Sequence, residues 1–369
     1  MSEGYLKYDF STLKVSHEAA LEYERKGEKL LERLNQLMTE REDIGDLLGM
    51  TPQYVMLDNN SNHLRFITNV LKLNDYELLA KTLPWVYKTY LSRGFSPHFF
   101  PEVLKGWMEA ILEILYPETA QEILSVYRAM LEFHEFTLSR SEGALIQMEV
   151  DEEWRPVEKK AVFSLLKGDY KELLDIAREV IKDENTLKEF YIKVVQPAMY
   201  EIGILWQTGE ISVAEEHLAT SMMNRLMAST YDMITTIAAH PRRKAVVLSS
   251  QNEYHELGAR IVADFLELKG WNVSFLGVNT PVSEVLKLLE KTTPFLLAVS
   301  VTMSFNLDSA KKLIQSIKSS RNLSGMRIMV GGLVFNESQD LWQRIGADGT
   351  ANNALEAVHL AEKWWNERG

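Results

Sequence analysis

The 369-residue chain contains no cysteine. This absence excludes disulfide bonds, zinc sites built on thiolates, thiol nucleophiles and any cofactor attached through a thioether. The sequence also lacks an apolar run of the ~18 residues that a membrane-spanning helix needs. Its N-terminus does not show the basic-then-apolar pattern of a signal peptide. We therefore expect a cytoplasmic protein that does not enter the membrane.

The sequence also has fewer positively than negatively charged residues. The chain carries 40 Lys and Arg against 52 Asp and Glu, which gives a net charge of −12. Proteins that bind DNA or RNA directly neutralise phosphates with a basic surface. Residues 44–55 faintly resemble a helix-turn-helix, but no basic recognition helix follows them. The composition therefore disfavours nucleic acid as a direct partner.

The first two thirds of the chain have a helical pattern. Hydrophobic residues make up 46% of the sequence, enough for a sizeable core, and the length suggests two or three domains. Apolar residues recur every three or four positions through residues 1–150 and 151–240. We expect the first segment to form a globin-like helical domain and the second a four-helix bundle. Pro84 is expected to kink or restart its helix.

The pattern changes after Pro241. Short apolar or β-branched runs alternate with helical stretches through residues 241–369, which predicts a doubly wound parallel sheet. The predicted strands are residues 244–250, 271–277, 294–302, 325–332 and 347–351. The predicted fold class is therefore α and α/β multidomain, with a flavodoxin-like Rossmann domain at the C-terminal end. Ligands of such sheets bind at the C-terminal ends of the strands.

Three groups of residues follow the predicted strands at that edge. In chain order they are Glu253-x-His255-x-x-Gly258, Ser300-x-Thr302 and Gly331-Gly332. The first loop has no GxGxxG, which argues against a dinucleotide fingerprint. A neutral imidazole at this edge can bind a metal, with a nearby carboxylate fixing its tautomer. A histidine beside a glutamate is by itself more often a surface residue, so the argument depends on the combination.

This combination resembles the signatures of cobalamin-binding domains of the base-off, histidine-on type: Asp-x-His-x-x-Gly, Ser-x-Leu/Thr and Gly-Gly. Glu253 departs from the pattern, in place of Asp. The resemblance implies that His255 replaces the cofactor's dimethylbenzimidazole as the lower cobalt ligand, and that Glu253 orients it. The displaced nucleotide tail would enter a slot beside the other motif residues, Ser300, Thr302, Gly331 and Gly332. The two glycines would permit its close approach.

A second motif lies in the predicted bundle, where nine residues separate Trp206 from Glu216-His217. This spacing resembles the Trp-x9-Glu-His motif of adenosylcobalamin-dependent photoreceptors, the light-responsive transcriptional regulators. The resemblance implies that Trp206 packs against the adenosyl group and that Glu216 and His217 contact it, with Val213 as a wall residue. Each of these side chains alone is as consistent with helix core or a solvated helix end. Gln207 replaces a His that can ligate cobalt after photolysis in those regulators, so a bis-histidine light state is not implied.

The order of helical domain, bundle and cobalamin domain resembles the photocobilins, which combine cobalamin with a non-covalently held bilin. A chain without Cys is compatible with biliverdin held in this way. A bilin needs aromatic walls, cations and hydrogen bonds, and the candidates are His63, Arg65, Trp85, Tyr87, Tyr90, Arg93, His98, Phe99 and Phe100. The alternative is that these residues are helix core and solvated surface. A haem globin, with His134 as proximal ligand, is a further alternative.

The motifs favour a signalling module over an enzyme. We expect adenosylcobalamin as the light sensor in a homo-oligomer, with photolysis of the cobalt–carbon bond driving a conformational or oligomeric switch that an unknown protein partner detects. The alternative is a corrinoid methyl carrier of a cobalamin-dependent methyltransferase system, which would use the same His255 constellation. A cobalamin-binding scaffold without photochemistry is a third hypothesis.

Overall fold

A computed structural model describes residues 10–143, 150–230, 240, 242–323, 325–338 and 340–368. The chain forms two compact units. The first comprises Met1–Leu145 with Gln207–Gly209, and the second comprises Ile146–Trp206 with Glu210–Gly369. Over these described ranges, the helices are all too short or too polar to span a bilayer.

The first unit is helical, as its periodicity predicts. Its helices are α1 (His17–Arg25), α2 (Gly27–Thr39), α3 (Ile44–Leu48), α4 (Gln53–Leu73), α5 (Tyr76–Ser92), α6 (Phe99–Ile114), α7 (Pro117–Glu132) and α8 (His134–Ser141). A short 3₁₀ turn at Phe10–Thr12 precedes them. Buried apolar residues on α1 to α7, such as Leu34, Ile67 and Trp107, form the core.

Of the two effects expected of Pro84, a kink or a restart, the restart is wrong, because α5 continues through this residue. Proline removes one backbone hydrogen bond and crowds the preceding turn. Leu79, Leu83 and Tyr87 are buried on both sides of Pro84. Packing of this apolar face offsets the local cost, since tertiary contacts supply most of a helix's stability in proteins.

The second unit begins with the helical bundle. It contains α9 (Arg155–Lys167), α10 (Tyr170–Val180), α11 (Glu184–Phe190), a π-helical turn (Tyr191–Val195), α12 (Gln196–Gln207) and α13 (Val213–Ser229). Local sequence sets several helix starts, because the side chains of Asp169, Asp183 and Ser212 each accept a hydrogen bond from a backbone N–H three residues on. The Ser212 cap places Glu216 and His217 in the first turns of α13.

A five-stranded parallel sheet follows the bundle. Its strands are β1 (Lys244–Ser249), β2 (Asn272–Phe275), β3 (Leu296–Ser300), β4 (Arg327–Gly331) and β5 (Gly349–Ala351), in the order β2-β1-β3-β4-β5. The intervening helices are α14 (Leu257–Leu268), α15 (Val282–Thr292), α16 (Leu307–Ser319), α17 (Leu333–Glu337), α18 (Leu341–Arg344) and α19 (Ala354–Asn366). The predicted parallel sheet is confirmed, and its strand order is the flavodoxin-like one.

The strand register brings the sequence motifs to one edge. Ser249 pairs with Ser300, Ser300 pairs with Gly331, and Gly331 pairs with Ala351. These residues are the last of their strands, so the loops that follow them leave the sheet side by side.

The bundle and the sheet share one hydrophobic core. A single cluster includes Phe190 and Met223 of the bundle together with Phe265 and Trp271 beside the sheet. The ring of Tyr191, in the π-helical turn, stacks 6.2 Å from that of Phe265. The second unit is therefore one packing entity, although its sequence pattern changes from helical to alternating.

Candidate functional site

The Glu253 carboxylate ties together two loops at the C-terminal edge of the sheet. The side chain is fully buried. Its Oε1 accepts hydrogen bonds from the backbone N–H groups of Tyr254 and His255, at 3.1 and 3.2 Å. Its Oε2 accepts from the N–H groups of Thr302 and Met303, both at 2.9 Å, and from the Asn306 amide at 3.2 Å. The loop after β1 is thus fixed to the loop after β3.

His255 is held by one ring nitrogen. Its Nδ1 lies 2.5 Å from Glu253 Oε1, and its backbone carbonyl accepts a hydrogen bond from the Ser249 hydroxyl at 2.8 Å. About half of the imidazole side chain is exposed (51%). With Nδ1 engaged by a carboxylate, Nε2 is the nitrogen that can bind a metal.

The two side chains polarise each other. Burial acts to raise the pKa of Glu253, but the hydrogen bond and charge of His255, with the donors of Met303 and Asn306, lower it to about 2. Burial acts to lower the pKa of His255, yet Glu253 and then Glu216 raise it above its ordinary value. The carboxylate therefore stays ionised and increases the basicity of the imidazole, as in a metal-ligating carboxylate–histidine pair.

The glycines at this edge differ in what surrounds them. Gly332 has a left-handed φ of +101°, and an added Cβ would lie 2.3 Å from the Val301 carbonyl oxygen. At Gly331 an added Cβ would lie 2.9 Å from the carbonyl oxygen of Ala351. Close backbone packing thus accounts for both residues. Gly258, in the first turn of α14, faces open space, with nothing within 4 Å of an added Cβ.

Three buried hydroxyl or amide oxygens near this edge have no hydrogen-bond partner among the described residues. They are Ser250 Oγ after β1, Asn306 Oδ1 after β3 and Thr350 Oγ1 in β5. Buried polar atoms are usually satisfied, so orphaned ones point to a missing ligand or water. The open space at Gly258 and these polar atoms fit a large ligand rich in amide and hydroxyl groups, and His255 fits its metal.

The bundle residues of the second motif are placed at the α12–α13 turn. Trp206 is half-buried against the hydrophobic core near the end of α12, whereas Val213 is 46% exposed at the start of α13. Glu216 Oε2 lies 2.5 Å from His217 Nδ1, and Glu216 Oε1 accepts a hydrogen bond from Thr220 at 2.9 Å. Gln207, the departure from the regulators' His, is buried at 4% exposure.

The bundle also contacts the histidine loop. The Asn224 amide of α13 donates a hydrogen bond to Glu256 Oε1 at 2.7 Å, and the charge of Glu216 acts on His255. The structure therefore brings α13 and the loop of the proposed lower ligand together. The hydroxyl groups of Ser300 and Thr302 have no hydrogen bond recorded to any described residue, although the backbone N–H of Thr302 donates to the Glu253 carboxylate.

The bilin candidates occupy two ring clusters of the first unit. His63 stacks 5.3 Å from Trp107 and lies 3.2 Å from the Tyr127 hydroxyl. The other cluster contains Tyr87, Tyr90, Phe95, Phe99, Phe100 and His134. The remaining candidates lie outside the ring clusters. The Arg65 guanidinium donates a hydrogen bond to the Asn62 side chain. Arg93 and Trp85 are half-buried, and His98 is exposed.

His134, the haem alternative, is already engaged in the second ring cluster. Its Nδ1 lies 3.1 Å from the Tyr87 hydroxyl, and its side chain is buried at the start of α8. Burial lowers the pKa of this imidazole, while Glu135 acts to raise it. Burial alone lowers the pKa of His63 to about 4, so both rings are neutral at pH 7.

Three residues of the site were not predicted from the sequence. The Ser249 hydroxyl donates a hydrogen bond to the His255 carbonyl, and the Asn306 amide donates to the Glu253 carboxylate. The Asn224 amide donates to the adjoining Glu256. Ser249 lies next to the end of the predicted strand 244–250 and could have been found by its position. Asn224 gives no sequence signal, because its role depends on how a bundle helix packs beside a loop of the sheet domain.

Comparison with known proteins indicates the class of cofactor. Residues 243–359 match a family described as a B12 binding domain, and residues 157–229 match a second family of the same description. This chain is a cobalamin-binding protein. The cobalamin-binding protein is 25% identical to the dimethylamine corrinoid protein of Methanosarcina barkeri over 187 residues, which are 50% of this chain and 86% of that protein.

Two other similar proteins broaden the comparison. The HTH-type transcriptional repressor CarA of Myxococcus xanthus is 25% identical over 195 residues, which are 53% of the cobalamin-binding protein and 62% of the repressor. Among solved structures, the monomethylamine corrinoid protein of Methanosarcina barkeri has a TM-score of 0.49 and 19% identity, over 57% of this chain and 99% of that one. Both family matches fall within the bundle and the sheet domain.

Proposed function

We propose that the second unit holds its corrinoid with His255 as the lower cobalt ligand and Glu253 as its orienting partner. The observation that carries the proposal is the geometry of this pair, a buried carboxylate 2.5 Å from Nδ1 of a half-exposed imidazole. Ser250, Asn306 and Thr350 would offer hydrogen bonds to the cofactor's polar groups. Gly258 would let the corrinoid come close to α14.

The chain's own residues would control the cofactor through position and charge. A bound alkylcorrinoid would supply a cobalt–carbon bond, which could be broken either by transfer of the alkyl group to an acceptor or by light. Glu253 holds the proton of the imidazole at Nδ1 and keeps Nε2 available. Ser249 fixes the loop through the His255 carbonyl. Asn224 links α13 to the same loop. A movement of the bundle would therefore change the position of the lower ligand, His255.

The function we favour is that of a corrinoid methyl carrier in a cobalamin-dependent methyltransferase system. Its support is the similarity to a dimethylamine corrinoid protein over most of that protein's length. In this role the chain would bind and protect the corrinoid through His255, and a separate enzyme would supply or take up the methyl group.

Light sensing through adenosylcobalamin is the second candidate, and one observation favours it. Trp206 is half-buried at the end of α12, and the Glu216–His217 pair lies at the start of α13, where the Glu216 charge acts on His255. An aromatic ring and hydrogen-bonding side chains are what a cap over an adenosyl group needs. The similarity to the CarA repressor agrees with this candidate.

The ligand role of His255 is tested by substitution. His255→Ala is expected to change the absorption spectrum of the bound cobalamin to that of a base-off form without an imidazole ligand. His217→Ala is the matched control and should keep the wild-type spectrum. An unchanged spectrum in His255→Ala would remove the basis of the proposal.

Trp206→Ala separates the two functions. A light-sensing cap predicts that the variant loses about three- to tenfold in affinity for adenosylcobalamin relative to methylcobalamin, as for one aromatic contact. A methyl carrier predicts an unchanged ratio. Trp154→Ala, at another edge of the bundle, controls for loss of aromatic packing. Gel filtration of the adenosylcobalamin form before and after green light completes the test, because only the sensor requires a light-dependent change in conformation or assembly.

We also propose a homo-oligomer, and a bilin in the first unit. The bilin proposal is supported by the two ring clusters around His63 and Tyr90. Biliverdin added to the full chain is expected to co-elute with it in gel filtration and to show a shifted red absorption band. Elution of all the pigment separately from the protein would exclude this second chromophore. The elution volume of the cobalamin form gives the oligomeric state.

A further inference from the structure

The N-terminal edge of the sheet holds a second concave site, at the opposite ends of the strands from His255. A cavity of about 370 Å³ lies among the start of β1, the loops before β3 and β4, and the end of α19. Its size lies within the range of small-molecule pockets. The lining residues are Arg242, Lys244, Thr293, Pro294, Phe295, Asn322, Leu323, Gly325, Met326 and Arg368.

This lining is positively charged. Arg242, Lys244 and Arg368 contribute three cations, and the described lining contains no carboxylate. None of the three forms an ion pair with a described residue, whereas the neighbouring Arg243 is paired with Glu362 at 3.1 Å. Such a cluster is unusual for a chain whose net charge is −12. The three cations repel one another, and a bound anion would relieve that repulsion.

Two of the three cations are held in place. The Lys244 ammonium donates a hydrogen bond to the Thr292 carbonyl at 3.1 Å. The Arg368 guanidinium lies 5.4 Å from the centres of both the Phe295 and Trp365 rings. Side chains fixed in this way lose less conformational entropy when they bind a ligand. The cluster therefore has the preorganisation of a binding site.

The chemistry of the lining selects the ligand. Guanidinium groups bind phosphate oxygens through paired N–H donors, and an ammonium adds a compact charge. Phe295, Leu323 and Met326 form an apolar wall beside the cations. We propose that this cavity binds a small phosphate-bearing anion, independently of the cobalamin site.

Isothermal titration of the full chain with inorganic pyrophosphate, at fixed ionic strength, tests the site. We expect saturable binding to the wild type. We expect affinity at least about tenfold weaker for the double variant Lys244→Gln/Arg368→Gln, which removes two charge-assisted contacts. Lys287→Gln/Lys312→Gln lowers the charge of the same domain by the same amount outside the cavity, and it should bind like the wild type.

Arg242→Gln keeps the test decisive if the double variant does not fold, because Arg242 is exposed and its replacement is expected to leave the fold intact. This single variant is expected to weaken pyrophosphate binding by about threefold or more. Heats in the wild type equal to those of dilution would overturn the proposal. Equal pyrophosphate affinities of Arg242→Gln and Lys287→Gln would also overturn it, since binding would then follow net charge alone.

Discussion

The Glu253 carboxylate is excluded from solvent and accepts hydrogen bonds from backbone groups of two loops as well as from Asn306 and His255. Each hydrogen-bond partner of this carboxylate acts as a donor, so the position requires a side chain whose two oxygens both accept. A glutamine amide would direct its own N–H₂ group at one set of donors, and the buried contacts on that side would be lost.

Glu253→Gln is therefore expected to lower cobalamin affinity by about tenfold and to destabilise the second unit by about 1–3 kcal/mol. Spectral titration and thermal unfolding measure the two effects. Glu256→Gln is the matched control, because a glutamine oxygen can still accept from Asn224. Full cobalamin affinity in Glu253→Gln would mean that the orientation of His255 does not depend on the carboxylate.

The glycines allow a paired prediction. Gly258→Ala should stabilise α14 by about 0.5–1 kcal/mol, because the added methyl meets nothing. The same methyl should weaken cobalamin binding if the corrinoid occupies the space beside His255. Gly332→Ala should destabilise the fold by about 1–3 kcal/mol, since its φ is +101° and its Cβ would meet the Val301 carbonyl.

Thermal melts and cobalamin titrations of both glycine variants check this pair. A Gly258→Ala protein that binds cobalamin as tightly as the wild type would contradict the placement of the cofactor beside α14. A Gly332→Ala protein with wild-type stability would contradict the backbone account of that glycine.

For single helices and strands, the sequence predicts that an element is present better than it predicts the residues at which the element begins and ends. All five strands were predicted from short apolar or β-branched runs, and those of the three central strands, such as Lys244–Ser249, are buried from both faces of the sheet. The regular apolar spacing of α4 covers residues 63–73, whereas the helix begins at Gln53, before a stretch rich in polar residues. The buried Asn60 amide explains the difference, because it donates to Asn35 of α2 at 2.8 Å, a tertiary bond that periodicity does not show.

The Glu253–His255 site was predictable only in part, because some of its contacts are also tertiary. Glu253 and His255 are neighbours in the loop after a predicted strand, and the motif spacing carries that information. The backbone donors of Thr302 and Met303 depend on the register between β1 and β3. Register follows from strand order and pairing, and neither can be derived from one strand's own residues.

Glu158 in α9 gives the bundle a pH-dependent stability. It is 1% exposed, and its Oε1 has no partner among the described residues. Burial and the adjacent Glu201 raise its pKa to about 7. Because the folded value lies above the ordinary one, this carboxyl favours folding at low pH, and the contribution is lost as pH rises from about 4.5 to about 7.

Glu158→Gln should match the wild type in stability near pH 4.5 and exceed it by on the order of 1–3 kcal/mol at pH 8. Denaturant unfolding at the two pH values measures the difference. Glu179→Gln, which removes an exposed carboxylate from the same bundle, should leave the pH dependence unchanged. A gain for Glu158→Gln that is equal at both pH values would contradict the assigned cause.

At the scale of the whole molecule, core organisation predicts how the protein unfolds. The first unit has its own buried core, whereas the bundle and the sheet share one. Scanning calorimetry should therefore show two transitions. Saturating cobalamin should raise the midpoint of one of them only, because a ligand stabilises the unit that binds it. A separate third transition for the bundle would contradict the shared core.

The two outermost strands of the sheet, β2 and β5, contain only four and three residues. A strand at a margin exposes unpaired N–H and C=O groups that another chain can pair with, and brevity limits that opportunity. Continuous pairing of strands from one copy to the next therefore offers few hydrogen bonds, and we expect a symmetric assembly of this protein to bury helical surfaces instead.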